Sequence, residues 1–363
     1  MNKPDYILIS VVGILIIIGI VILASVSSVL AQERFGSPTS YLLRHFLFAL
    51  APGILAGYIA FRMPIIFFKK MAFPFLLASM FLMVLVFFPE IGVKAGGARR
   101  WINLGITSFQ PSEFLKLSFI IYLAAWLPGL TDKTRNKSKT LVAFFAVIGL
   151  IGLLLGLQSD AGTLGVIAIT GLLMYFSSGT PLRHSFLILF AGLAGLTLLV
   201  KIAQYRLDRI MVFLKPDIDP MGLGFQIKQA LIAVGSGGIW GNSFGFSLEE
   251  SRFLPHAMSD SIFAVFSEEA GFVGALILIS LFLIFVWRGL QIARRVQDGF
   301  CRLASLGIVS WIALQAFINM GSMLSLVPLA GIPLPFISYG GSAIVAELIG
   351  AGIILNISKH AHA

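Results

Sequence analysis

An all-α polytopic membrane protein with about ten transmembrane helices is the fold class this chain predicts. Three observations carry that expectation. Of 363 residues, 58% are hydrophobic and 12% charged, about half the charged share of a soluble domain. Mean hydropathy is +0.96. The apolar residues also gather into runs close to the ~20 that cross a hydrocarbon core as a helix, so the whole of 1–363 reads as one transmembrane domain.

The first run, near 6–31, is far longer than the ~7–15 residues of a signal-peptide core and is expected to stay as a transmembrane helix. Runs near 42–63 and 68–88 follow, then a polar stretch, 89–111, and a span near 112–130 opened by Pro111, which suits a first helical position. Further spans are expected near 140–157, 161–177 and 183–201. The one at 161–177 is short. Asp160 and Gly162 suggest that it begins at or below the membrane surface, where broken backbone needs a cover of protein or water. The longest hydrophilic segment, 202–260, is expected as a large extracytoplasmic loop between the seventh and eighth spans. Spans near 261–287, 302–327 and 336–357 complete the set, and the Pro/Gly-rich run 328–343 argues for an irregular re-entrant turn before the last helix.

Charge in the short loops sets the orientation. The loop 131–139 carries Lys133, Arg135, Lys137 and Lys139, and 288–302 carries Arg288, Arg294, Arg295 and Arg302, so both are expected in the cytoplasm, together with both termini. The loops 158–160 and 328–335 lack Lys and Arg, as outer loops should. The outer loop 89–111 breaks the rule with Lys94, Arg99 and Arg100, and an anionic ligand is a reason to keep cations on the unfavoured side. The formal charge of +10 sits at the ends of apolar runs, where headgroups and topology account for it, so nucleic acid is excluded as a partner. The single cysteine, Cys301, excludes an intrachain disulfide framework.

Acidic residues at the start of a long apolar helix are the strongest sign of chemistry. In LPHAMSDSIFAVFSEEAGFVG, Asp260 stands at the mouth of the span, with Glu268 and Glu269 inside it. A carboxylate in hydrocarbon costs at least ~2.5 kcal/mol, so such groups face a cavity or a partner. Ser259 or Asp260 can equally cap the helix. At 3.6 residues per turn Glu268 is offset from Asp260 by about 80° and Glu269 points to roughly the opposite side, which makes Glu268 the neighbour of a site and Glu269 the partner of another helix. In GGARRWINLGITSFQPSEFLKL, Glu113 and Lys116 fit an intrahelical ion pair, but Arg99, Arg100 and Lys116 together exceed what Glu113 neutralises, and a diphosphate would restore the balance. Asp160 in QSDAGTLG, Arg206 and Arg209 in the long segment, and Ser338 in PLAGIPLPFISYGGSA are further candidates for substrate contact. Glu347, midway along the last span, has no evident partner and fits either a buried hydrogen-bonded carboxyl or a site residue. No spacing of the five histidines fits a catalytic metal with nearby carboxylates, and no P-loop, GxSxG or dinucleotide fingerprint occurs in a suitable context.

Five segments taken in order resemble the SEDS family, the shape, elongation, division and sporulation proteins that include FtsW, RodA and SpoVE. They are GARRWINLG with FQPSEFLKL, then QSDAGT, then RIMVFLKPDIDPMGLGFQIKQALIAVGSGGIWGNSFG, then LPHAMSDSIFAVFSEEAGFVG, and finally GIPLPFISYGGSA. The GNSFGFS stretch and the residues around SDSIFAV lean toward the division branch. The resemblance implies a peptidoglycan glycosyltransferase of the bacterial cytoplasmic membrane that polymerises lipid II at the outer face and works with a class B penicillin-binding protein, a transpeptidase. The family's essential aspartate precedes the IFAV run and falls on Asp260, although His256, Met258, Ser259 and Ser261 depart from its usual LPE and HTDFIFAV context. On this reading Asp260 takes the proton of the acceptor's 4-hydroxyl, while Arg99, Arg100 and Lys116, with Arg206 and Arg209 as secondary candidates, hold the diphosphate. No cofactor is required by the sequence, and a divalent cation, Mg or Mn, could assist. A lipid II flippase is the main rival and a division scaffold without activity a third reading. Translocation would need polar groups at the midplane or inside, and Glu347 is the one residue that favours it.

Overall fold

Asp5 opens the first helix by accepting the Leu8 N–H at 2.9 Å, and 30 mostly apolar residues run on to Phe35, where Gly36 in the left-handed region ends α1 (Tyr6–Phe35). The structure, a computed structural model, describes residues 3–95, 98–105, 107–131, 137–202, 204–242 and 254–360. The next span is built from α2 (Ser40–His45), one π-helical turn over Phe46–Leu50 and α3 (Ala51–Arg62). Pro52 has no N–H to give, and the ladder slips by one residue just before it, with Ala51 N donating to Phe46 O. Then come α4 (Ile65–Leu85), α5 (Pro111–Trp126), α6 (Lys137–Leu157), α7 (Ala161–Ser177) and α8 (Leu182–Ile202). The chain continues through α9 (Gln204–Leu214), α10 (Leu223–Ser236), α11 (Ile262–Arg295), α12 (Gly299–Met323) and α13 (Gly341–Ser358).

A helix stands at each run where a span is expected, and among the described residues seven are long and apolar enough to cross a membrane, with α7 a shorter apolar helix. Phe81, Phe190 and Phe317 are among the large apolar side chains left exposed, as lipid-facing groups are. The chain is a polytopic membrane protein. Buried share separates centre from periphery: the apolar stretches of α12 and α13 are 67% and 78% buried, that of α4 only 22%. α13 packs on α3 at backbone distance, since a Cβ on Gly352 would lie 2.2 Å from Gly57 O, and small residues are what permit helices to approach so closely in lipid. At the end of the bundle holding both termini of the described chain, Arg288 of α11 pairs with Asp5, and Asp5 N donates to Ser358 Oγ of α13 at 3.1 Å.

Two segments expected as loops contain regular structure. Residues 89–111 contain an antiparallel sheet of β1 (Gly92–Ala95), β2 (Ala98–Asn103) and β3 (Ser108–Phe109), with Val93 opposite Trp101 and Ile102 opposite Phe109. Among its described residues the segment 202–260 is largely helical, with α10 docked on α11 and Ile227, Ala230 and Ala233 buried. Residues 243–253, which carry part of the GNSFGFS stretch and Arg252, lie outside the described residues.

Candidate active site

Asp260 closes a tight turn that ends where α11 begins. His256 sits in the left-handed region (φ 56°), and its carbonyl accepts from Ser259 N at 2.9 Å and Ser261 N at 3.3 Å, folding the chain back on itself. Three clamps then fix that turn. Asn319 of α12 donates to Asp260 O and Ile332 O, both at 2.8 Å. Ser338 Oγ donates to Ser259 O at 2.6 Å and accepts Leu334 N at 2.7 Å, while Tyr339 N donates to Met258 O at 2.8 Å. Ser261 Oγ bonds Pro255 O and receives Gln226 Nε2 of α10 at 3.0 Å. Ser338 therefore acts on the backbone that carries Asp260, and the residues departing from the LPE and HTDFIFAV context are those that shape the turn.

The Asp260 carboxyl is half-buried, and a Cβ on Gly331 would come within 3.5 Å of its Oδ2. Burial pushes its pKa above the ordinary carboxylate range; His256, a bond from Ser259, Arg209 and Arg100 each pull it back. Two cations from different elements thus act on one carboxylate. Arg100 reaches across from β2 and donates to Gln158 O at 3.1 Å and Ser159 O at 2.6 Å, at the entry to α7. Arg209 of α9 donates to Leu329 O at 3.1 Å, on the loop that also carries Gly331. Asp160 caps α7, accepting Thr163 N at 3.1 Å, and the α7 start packs under the same loop, since a Cβ on Gly162 would meet Ala330 O at 2.6 Å.

Strand geometry separates Arg99 from Arg100, because successive side chains leave opposite faces. Arg99 donates to Phe87 O at 3.2 Å, away from the α7 entry. Arg206 lies in α9, and its side chain is outside the described part of the structure. Lys116 and Glu113 stand deeper, each under 3% exposed, with Lys116 Nζ 2.7 Å from Glu113 Oε2, 2.6 Å from Gln315 Oε1 and 5.2 Å from the centre of the Trp311 ring. The positive charge of Lys116 is met there by Glu113. Glu347 joins the same cluster: its carboxylate accepts Phe336 N at 2.8 Å and Gln315 Nε2 at 3.2 Å. Glu269 accepts from Ser25 of α1, a partner on another helix, and Glu268 is buried where α10 ends against α11, a Cβ on Gly237 lying 2.9 Å from its Cα.

Beside the Ser338–Tyr339 clamp opens a mainly polar cavity of about 380 Å³, lined by Arg44, His45, Trp101, Asn103, Ser108 and Tyr339 among others. The sequence marks none of Asn319, Gln315, Arg44 or His45 by motif. Gln315 and Asn319 do carry a signal, two amides four residues apart in an apolar run. Among the described residues no three His, Cys, Asp or Glu side chains gather as a metal ion needs.

The model of the cell cycle protein family that groups FtsW, RodA and SpoVE matches residues 5–363. Stage V sporulation protein E of Bacillus subtilis (strain 168) is 36% identical over 362 residues, 99% of this chain and 98% of that protein. A probable peptidoglycan glycosyltransferase FtsW of Trichlorobacter lovleyi is 38% identical over 98% of this chain and 93% of its own length. Among solved structures, a chain of a peptidoglycan synthase complex that coordinates polymerization and crosslinking superposes with TM-score 0.80 at 27% identity, covering 99% of this chain and 98% of that one. The rod shape determining protein RodA of Thermus thermophilus does so with TM-score 0.71 at 26% identity, over 99% and 98% of the two chains. A family model spanning nearly the whole chain, full-length relatives and a shared bundle lead to one statement: the chain belongs to the FtsW/RodA/SpoVE family.

Proposed function

We propose that this protein is a peptidoglycan glycosyltransferase that polymerises lipid II at the outer face of the bacterial cytoplasmic membrane, in cell division, with Asp260 as general base. The observation that carries the reading is a single half-buried carboxylate at one end of a membrane bundle, its backbone clamped from three sides and its charge felt by two arginines. The acceptor's 4-hydroxyl gives its proton to Asp260 as its oxygen bonds the donor's anomeric carbon. The bond from that carbon to the diphosphate breaks, and undecaprenyl diphosphate leaves with the electron pair. Diphosphate departs as an anion and needs no proton, so one carboxylate suffices for an inverting transfer. Arg100 and Arg209 stabilise the charge that develops on it. The cavity beside Tyr339 takes saccharide, with Trp101 and Asn103 offering an aromatic face and an amide. Asp160, Glu113, Lys116, Glu268 and Ser338 position the elements that carry these groups.

The cation-rich end with Arg294, Arg295 and both termini then faces the cytoplasm. A class B penicillin-binding protein supplies the crosslinking that this chain lacks, in line with the synthase complex to which the chain is similar. Glu347 is 1% exposed and accepts from Phe336 and Gln315, which supports a buried hydrogen-bonded carboxyl over a residue lining a translocation path. Purified protein given labelled lipid II, with and without the transpeptidase, tests the reading. Asp260→Asn should insert and fold yet form no glycan chain, and normal polymerisation by that variant would remove Asp260 from the chemistry.

A further inference from the structure

We propose that the recess at the end of the bundle opposite Asp260, where α4, the α11–α12 turn and His360 meet, binds the phosphate ester of an anionic membrane phospholipid. The recess has a volume of about 350 Å³, and Lys69, Arg295 and His360 line it from three elements remote in sequence. Its apolar wall is made by Ile66, Val296 and Phe300. Three other cations at this end are accommodated within the protein: Arg288 pairs with Asp5, Lys359 donates to Phe61 O at 2.8 Å, and Arg62 donates to Tyr58 Oη at 3.0 Å. Among the described residues Lys69 and Arg295 make no ion pair, and both are exposed toward the recess they line. Asp298 is the one acid on the lining, and its carboxylate accepts the Cys301 N–H at 2.9 Å as the cap of α12. The lining therefore keeps a cationic excess.

A phosphodiester would sit between Lys69 and Arg295, where charge-assisted bonds are strong, and His360 adds a donor. The wall chooses between two sources of that chemistry. Inorganic phosphate has nothing to lay against Ile66, Val296 and Phe300, whereas a glycerolipid continues from its phosphate into acyl chain, and Ile66 is 54% exposed beside the recess. General attraction of a cationic rim to anionic lipid would draw equally on Lys70 and Arg294, which are exposed neighbours outside the recess. The two pairs differ in place but not in charge.

The test uses the full-length protein in detergent and in nanodiscs, with phosphatidylglycerol, phosphatidylcholine or inorganic phosphate added. Lipid retention is read by native mass spectrometry and stabilisation by thermal unfolding. Phosphatidylglycerol should be retained and should raise the unfolding temperature, while phosphatidylcholine and inorganic phosphate should not. Lys69→Gln/Arg295→Gln should weaken that retention about tenfold, and Lys70→Gln/Arg294→Gln should leave it near the parent. Equal loss in the two double variants, or equal retention of phosphatidylcholine, would overturn the site, and stabilisation by inorganic phosphate alone would overturn the lipid assignment. Should the first double variant fold poorly, Ile66→Trp, which fills the recess and leaves every charge in place, should displace the lipid, and unchanged retention there would count against the proposal.

Discussion

At Asp260 the needs of folding and of chemistry conflict in one carboxyl group. Burial raises its pKa, so folding favours the protonated form: that contribution is complete below the ordinary carboxylate value of ~3.9 and is lost as pH rises through the raised value. At neutral pH the ionised group therefore costs stability, and Asp260→Asn should unfold at a higher temperature than the parent at pH 7, with the difference closing in acid. A higher unfolding temperature in the parent would contradict the burial argument. The base must be ionised to accept a proton, so the polymerisation rate should fall with acidification along a limb centred above ~3.9. Arg100 and Arg209 both lower the pKa, and Arg100→Ala or Arg209→Ala should move that limb upward in addition to reducing the rate. A pH–rate profile whose limb stays put in both variants would separate the two arginines from the carboxylate.

Among the elements, α11 is the one whose continuity depends on a neighbour. Gly271 interrupts it with φ 67° and ψ −169°, and the backbone of 237–242 closes the gap: Phe272 N donates to Gly238 O at 2.9 Å and Asn242 N to Glu268 O at 3.1 Å. A Cβ on Gly271 would stand 2.3 Å from Gly241 N, so Gly271→Ala both strains φ and pushes the patching segment off. We expect a loss of about 3 kcal/mol or more, seen as a large drop in unfolding temperature in detergent, whereas Gly149→Ala, with open space around it, should be near neutral. Equal unfolding temperatures for the two variants would mean that the break bears no load. The break also shows what was legible. Span positions follow from apolar runs, which membrane thickness imposes directly, and the predicted starts of α5 and α7 follow from Pro111 and Asp160. The break at Gly271 depends on a backbone 30 residues upstream, and no local pattern encodes that. The sheet at 92–109 is equally hidden, since ARRWIN shows no alternation of apolar and polar residues, and without it Arg99 and Arg100 read as one cationic pair instead of two faces.

Across the whole molecule, a chain of buried polar contacts joins the centre of the bundle to the site. Lys116 of α5, paired with Glu113, meets Gln315 of α12, Gln315 meets Glu347 of α13 and Pro333 O, and one turn along α12 Asn319 holds Ile332 O and Asp260 O. The loop 328–338 is thereby suspended from α12 and α13, with Lys116 of α5 behind Gln315, and Asp260 hangs from the same support. The sequence showed Glu347 without a partner because its partners, Gln315 and the Phe336 amide, come from two other parts of the chain. A buried ion pair adds little net stability, yet breaking it from one side leaves a charge stranded in low dielectric, at a cost of about 3–5 kcal/mol. Glu113→Gln and Lys116→Met should each lower the unfolding temperature strongly. The double variant should recover much of the loss, because no lone charge remains. Additive losses in that cycle would show that the two side chains are not coupled. Recovered stability need not bring recovered polymerisation: with Lys116 gone, Gln315 Oε1 keeps only the Trp311 Nε1 donor at 2.8 Å, and the amide is free to turn from Pro333 and Glu347. The double variant should therefore fold well and polymerise lipid II slowly, and a stable variant at full rate would show that the deep pair supports the bundle without governing the geometry at Asp260.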